Sequence, residues 1–165
     1  MIFVTVGTHE QPFDRLIKCI DNMKKNGEIQ EDIIIQTGFS TYQPRYCVWN
    51  NLIPYEQMKK FVTNAHIVIT HGGPASFIMP LQLGKIPIVI PRQVCFHEHV
   101  NNHQVEFVQK VADRMGMIIP VFDIKKLNKV ILNYEAIIGS MDSKIHSNNE
   151  KFNREFNAIV NELIK

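Results

Sequence analysis

Cysteine is scarce in this chain and follows no pairing pattern. Cys19, Cys47 and Cys95 are the three in 165 residues, an odd number at wide spacing with no CxxC, which argues against a disulfide framework or a zinc ribbon. Each stands in an apolar or strand-like stretch, so they read as reduced core thiols of a cytoplasmic protein. An excess of charge is missing too: 18 basic against 16 acidic residues leave +2, which gives no nucleic-acid footprint and only a weak pull towards acidic ligands. No run approaches the roughly 20 apolar residues of a membrane span, and the start lacks the basic and long apolar stretches of a signal peptide. Any membrane contact is therefore expected to be peripheral or borrowed. Linkers, low-complexity tracts and repeats are absent, so residues 1–165 read as one domain, long enough to bury a core without staples.

What is present is alternation. Ile2 to Val6 form a short apolar run stopped by Gly7-Thr8, after which Pro12-Phe13-Asp14-Arg15-Leu16-Ile17 switches to helical spacing. The same order recurs in Ile33-Ile34-Ile35 before Gly38, a helical segment from Pro54 to about Asn64, and Ile67-Val68-Ile69-Thr70 before Gly72-Gly73. A helix through Leu83, the run Ile86 to Ile90, a helix from about His99 to Asp113, and Met117-Ile118-Ile119 complete it. Short β-branched runs alternating with helices predict an α/β, Rossmann-like parallel sheet with helices on both faces. Residues 146–165 then place Phe152, Phe156, Ile159, Val160, Leu163 and Ile164 on one stripe of an amphipathic C-terminal helix. That stripe must cover either its own sheet or another chain.

In an open parallel sheet, ligands bind beyond the carboxyl ends of the strands. Three turns are expected there. In VITHGGPASF, residues 68–77, a buried strand runs into His71-Gly72-Gly73, Pro74 suits the first helical position, and Ala75 and Ser76 fall in the first turn. Two glycines let the backbone approach a bulky anion, and the N–H groups and dipole of a helix start favour a diphosphate. A plain tight turn is the alternative, since neither a P-loop nor GxGxxG is present. Gly7-Thr8-His9, in TVGTHEQPFD, would add backbone donors and a hydroxyl to the same pocket.

The third turn is PRQVCFHEHVNNHQVEF, residues 91–107, where Arg92, His97, Glu98, His99, Asn101, Asn102, His103, Gln104 and Glu106 crowd a loop and a helix start. So many hydrogen-bonding side chains suit a hydroxylated ligand, against the alternative of a solvated loop. His99 and His103, four apart with His97 near, raise a metal site, but Asn101 stands where the HExxH pattern needs its second histidine. No metal is expected.

These residues carry a resemblance. AHIVITHGGPASFIMPLQLGKIPIVIPRQ followed by FHEHVNNHQVEF, together with the opening FVTVGTHEQPFDRLI, resembles the C-terminal donor domain of inverting GT-B glycosyltransferases from Met1 to about Ile119. That group includes the peptidoglycan N-acetylglucosaminyltransferase and the catalytic subunit of the eukaryotic dolichyl-diphosphate N-acetylglucosaminyltransferase. The chain looks most like the small bacterial capsular and exopolysaccharide subunits, β-1,4-galactosyltransferases among them. The resemblance implies half of a GT-B enzyme that binds a UDP-sugar, with UDP-galactose favoured. It further implies transfer of the hexose with inversion, without a metal cofactor, to a lipid-linked saccharide acceptor. A separate membrane-associated acceptor-binding subunit would hold this chain at the inner face of the cell membrane, and a homo-oligomer is compatible with the pattern.

Residue by residue, His71, Gly72, Gly73, Ala75 and Ser76 match the turn that holds the diphosphate, and Gly7 and Thr8 match the first turn facing the cleft. His103 and Gln104 match a polar pair near the sugar, and Arg92 falls close to the uracil-contacting segment. Where single-chain relatives carry an acidic ribose-binding residue, this chain has Met79, which shifts ribose recognition to Glu98 or Glu106. His9 is the candidate general base on this chain, unless the partner supplies it. Two other classes stay open: a non-catalytic nucleotide-binding subunit that stabilises or regulates a partner enzyme, and a small flavodoxin-like cofactor protein.

Overall fold

A computed structural model describes residues 1–141; the amphipathic stripe at 146–165 lies outside the described residues. Six parallel strands form one sheet: β1 (Ile2–Thr5), β2 (Ile33–Gln36), β3 (Val48–Asn50), β4 (Ile67–His71), β5 (Ile88–Ile90) and β6 (Ile119–Pro120), in the order β3-β2-β1-β4-β5-β6. The helices are α1 (Asp14–Lys25), α2 (Tyr55–Asn64), α3 (Pro74–Gln82), α4 (His103–Met115), α5 (Leu127–Leu132) and α6 (Tyr134–Ser140). The sheet is covered on both faces, as the alternation predicts. Ile2, Val4, Ile67 and Ile69 pack with Leu16, Ile17 and Ile20 of α1, and with Leu127, Ile131 and Tyr134 of α5 and α6. Phe3 and Val68, on the opposite face, pack under Val62 of α2 and Met79 of α3. Farther along that face, Val89 meets Phe77 of α3 and Val108 of α4. Strand alternation explains the partition, since successive side chains point to opposite faces.

Several expectations are corrected. β3 was not read from the sequence, and neither were α5 and α6. The run Ile86 to Ile90 forms a strand only over Ile88–Ile90. α4 begins at His103 rather than His99, because residues 97–102 form a loop in which Asn101 Oδ1 accepts from the His103 N–H and Asn102 Oδ1 from the Val94 N–H. His99 and His103 therefore do not share a helical face. All three cysteines are free, but Cys95 is exposed in a short 3-10 turn, Val94–Phe96, so only Cys19 and Cys47 fit the reading as partly buried thiols. Burial pushes those two up to about 11 and about 12, which keeps them unreactive at neutral pH. No helix of the described residues is long and apolar enough to cross a membrane.

Candidate functional site

The strand order reverses direction between β1 and β4, and a crevice opens at such a switch point beyond the strand ends. Here it lies between the Gly7-Thr8-His9 loop and the His71 to Ser76 turn. A cavity of about 510 Å³ occupies it, lined by Thr5, Gly7, Thr8, His9, Gln36 and Tyr55 on one side and by His71, Ala75, Ser76 and Met79 on the other. On the other flank of the turn, a second hollow of about 390 Å³ is lined by Gly72, Pro74, His99, His103, Gln104, Glu106 and Lys110. The start of α3 thus projects between two adjoining hollows. A roomier hollow of about 560 Å³, among Gln109, Asp113, Met115, Met117, Ile137 and Met141, lies away from the strand-end turns and adjoins the end of the described residues.

His71 organises the turn. Its Nδ1 accepts the Gly73 N–H at 3.0 Å, so the neutral ring carries its proton on Nε2 and donates it to Ser76 Oγ at 2.8 Å. Burial, and next the Arg92 charge, push this imidazole down to about 4, which keeps it neutral. The Ser76 hydroxyl, already accepting, keeps its own proton for a ligand.

The glycines at this turn stand against the His71 ring. A β-carbon at Gly73 would stand 2.2 Å from His71 Cε1, and one at Gly7, where φ is +74°, would stand 2.3 Å from His71 Nε2. They make room for the imidazole. Gly72 likewise lies against Val108 and Gln104, and its N–H is bonded to Gln104 Oε1 at 3.1 Å. The Gly72 and Gly73 N–H groups are therefore occupied by side chains. The donors left at the helix start are the Ala75 N–H, which has no intrahelical acceptor in a first turn, and the Ser76 hydroxyl. No side chain caps this helix.

Arg92 and Glu98 are both buried beneath the loops, where protein groups engage the Glu98 carboxylate and both terminal nitrogens of Arg92. Arg92 is 1% exposed, and its guanidinium donates to the carbonyls of Val6 (2.9 Å), Gln11 (2.6 Å), Pro12 (3.3 Å) and Glu98 (3.2 Å). Burial brings its pKa down to about 10, still charged at neutral pH. Glu98 is 3% exposed, with Oε1 and Oε2 each 2.8 Å from Arg15 nitrogens and Oε2 also accepting the Gln93 N–H. Glu98 is thus held by Arg15 and the Gln93 N–H, whereas Glu106 stays exposed beside the second hollow. Two guanidinium groups against one carboxylate leave a net positive charge beneath the loops, and this charge favours an anion above it.

His9 and His99 stack at the rim with ring centroids 4.8 Å apart. Burial first, then Arg92 and His99, lower the His9 pKa against the opposing pull of Glu10. His9 Nδ1 accepts the Gln11 N–H at 3.1 Å, which leaves the neutral ring's proton on Nε2. In this arrangement the free ring nitrogen of His9 is a donor, whereas a general base needs a bare nitrogen facing the acceptor. Gln104 Oε1 bridges the N–H groups of Gly72 and Arg92, joining the ends of β4 and β5. His103 is exposed on the outer wall of the second hollow. Among the described residues, no three His, Cys, Asp or Glu side chains converge as metal ligands.

Strand order and connectivity define an α/β domain of the Rossmann type, with a crevice at the switch point above a buried cluster of net positive charge. Residues 1–160 match the glycosyltransferase family 28 C-terminal domain, and the chain belongs to that family. It is 32% identical over 119 residues to the human UDP-N-acetylglucosamine transferase subunit ALG13, a match covering 67% of this chain and 10% of that protein. The fold is shared with the glycotransferase of kitacinnamycin (TM-score 0.58, 15% identity, 95% of this chain and 39% of that one). It is shared as well with the glycosyltransferase SnogD from Streptomyces nogalater (TM-score 0.51, 14% identity, 92% of this chain and 42% of that one). The chain thus spans about a tenth of the human relative and about two fifths of each solved structure.

Proposed function

We propose that this chain is the donor-binding subunit of an inverting hexosyltransferase, taking a UDP-sugar in the cleft between the Gly7 loop and the start of α3. The observation that carries the reading is the uncapped start of α3, opening on a cavity of about 510 Å³ above the buried Arg15, Arg92 and Glu98 cluster. Inverting transfer displaces UDP in line from the anomeric carbon, so negative charge grows on the departing diphosphate. The Ala75 N–H, the Ser76 hydroxyl, the α3 dipole and the His9 Nε2–H are donors suited to that charge, and in other enzymes removing one such donor costs about 10²–10³ in rate. Gly7 and Thr8 border the diphosphate, while His103 and the amide nitrogen of Gln104 face the sugar in the second hollow. The general base then comes from the acceptor side. UDP-galactose is the favoured donor and a lipid-linked saccharide of capsule or exopolysaccharide synthesis the acceptor, held by a membrane-associated partner. The name of the human relative, which calls it a subunit of a UDP-sugar transferase, supports a donor and a partner of this kind. Part of the stripe at 146–165 docks on that partner.

Isothermal titration of the full chain with UDP, UMP and flavin mononucleotide tests the donor reading. UDP is expected to bind best, and preference for the flavin would overturn it. Transfer by the assembled pair should persist in EDTA and depend on residues 147–165. A truncated chain that still supports transfer would remove the docking role.

A further inference from the structure

Strand alternation places Thr5, Gln36 and Thr70 in register across β2, β1 and β4, on the face where Phe3, Ile34 and Val68 form the apolar row two residues earlier. That face is apolar under α2 and α3, and it ends in three polar side chains that are 3%, 1% and 0% exposed. A buried polar row of purely structural purpose satisfies its own groups. This one does not: Thr5 Oγ1 accepts the Gly7 N–H, but Gln36 Oε1 and Thr70 Oγ1 are both buried with no partner. Gln36 also lines the cleft cavity, across from Met79. An orphaned carboxamide on a cavity wall is a group held ready for a ligand, and it costs the empty protein stability to keep it there.

We infer that the Gln36 carboxamide is the specificity-determining contact to the nucleoside of the donor. The inference rests on the donor-binding reading. With the diphosphate at Ala75 and Ser76, the nucleoside end extends between Tyr55, Met58 and Met79, and Met79 has no polar atom for it to bond. A carboxamide donates and accepts at once. That pairing matches the N3–H and carbonyl edge of uracil, and equally a ribose hydroxyl, which also gives and takes a hydrogen bond. Gln36 therefore takes over at the floor of the cleft the recognition that the helix above it lacks.

The test compares the full chain with its Gln36→Met and Gln36→Leu variants by isothermal titration with UDP and with inorganic pyrophosphate, and by thermal unfolding without ligand. UDP affinity is expected to fall by about tenfold or more, the scale of one buried hydrogen bond, while pyrophosphate binds as before. The unliganded midpoint should stay level or rise, since an orphaned acceptor has been removed. Repeating the titration with 2′-deoxyuridine diphosphate assigns the contact: a smaller loss points to the ribose hydroxyl, an equal one to the uracil edge, and either sustains the inference. Unchanged UDP affinity, equal loss of UDP and pyrophosphate, or a lowered midpoint in both variants overturns it, because the side chain is then structural. If the parent chain binds neither ligand, the donor-binding reading itself falls. If it binds UDP and the variants bind it equally well, only the assignment of Gln36 fails.

Discussion

Changing Gly73 to alanine isolates what the glycine turn does. The backbone there, at φ −77° and ψ 131°, suits any L-residue, so no conformational strain is expected. The obstacle is the His71 ring, 2.2 Å from where the new methyl would sit. Displacing a packed ring costs about 1–3 kcal/mol. The hydrogen bonds from the Gly73 N–H and to Ser76 Oγ go with it, at about 1 kcal/mol each. The total, about 3–5 kcal/mol, lowers a urea midpoint by about 2 M for a domain of this size without unfolding it. His71→Ala removes the obstacle, so Gly73→Ala in that background should cost under about 1 kcal/mol. Urea unfolding of the four proteins measures the coupling directly. Equal costs in both backgrounds would falsify the argument, because the glycine would then be answering to something other than the imidazole.

Three further outcomes follow from the same contacts. His71 has a folded pKa below its ordinary 6.5, so the unfolded chain takes up the proton first as pH falls, and stability drops between pH 6.5 and about 4. The drop, about 3 kcal/mol, should be missing from the difference between the parent and His71→Gln when urea midpoints are followed from pH 7 to 4 only if the ring is not buried neutral. Arg92→Met strips four carbonyls of their donor, which should cost about 3–5 kcal/mol in urea unfolding, with Arg92→Lys restoring little. Gln104→Ala leaves the N–H groups of Gly72 and Arg92 without their acceptor and should cost about 1–3 kcal/mol, whereas Gln104→Glu keeps the acceptor and most of the stability.

The sheet was legible because Ile2 to Thr5 and Ile67 to Thr70 are buried on both faces, Ile33 to Ile35 nearly so, and all three write continuous β-branched or apolar runs. β3 writes no such run: it is a three-residue edge strand with Val48 exposed, and α5 and α6 are too short to declare a period. The turns were legible by their glycines, but the packing beside Gly7 and Gly73 was not, since the ring that fills it is that of His71 at the end of β4. Arg92 and Glu98 looked like ligand contacts because polar residues in a loop are ordinarily free. Their partners lie up to 86 residues away, beyond the reach of local spacing. Gln36 did leave a signal, a polar residue ending the run Ile33 to Ile35 on the face it shares with Ile34.

The Arg92 guanidinium has a consequence for how the domain breathes. Because it bonds carbonyls at Val6, Gln11, Pro12 and Glu98 at once, the loop after β1 and the loop after β5 cannot detach one at a time. They form a single unit of local opening, and their backbone amides should exchange hydrogen for deuterium with a shared protection that rises together when an anion settles on either loop. The cleft is thereby ordered before any ligand arrives, so little further ordering entropy is lost when one binds.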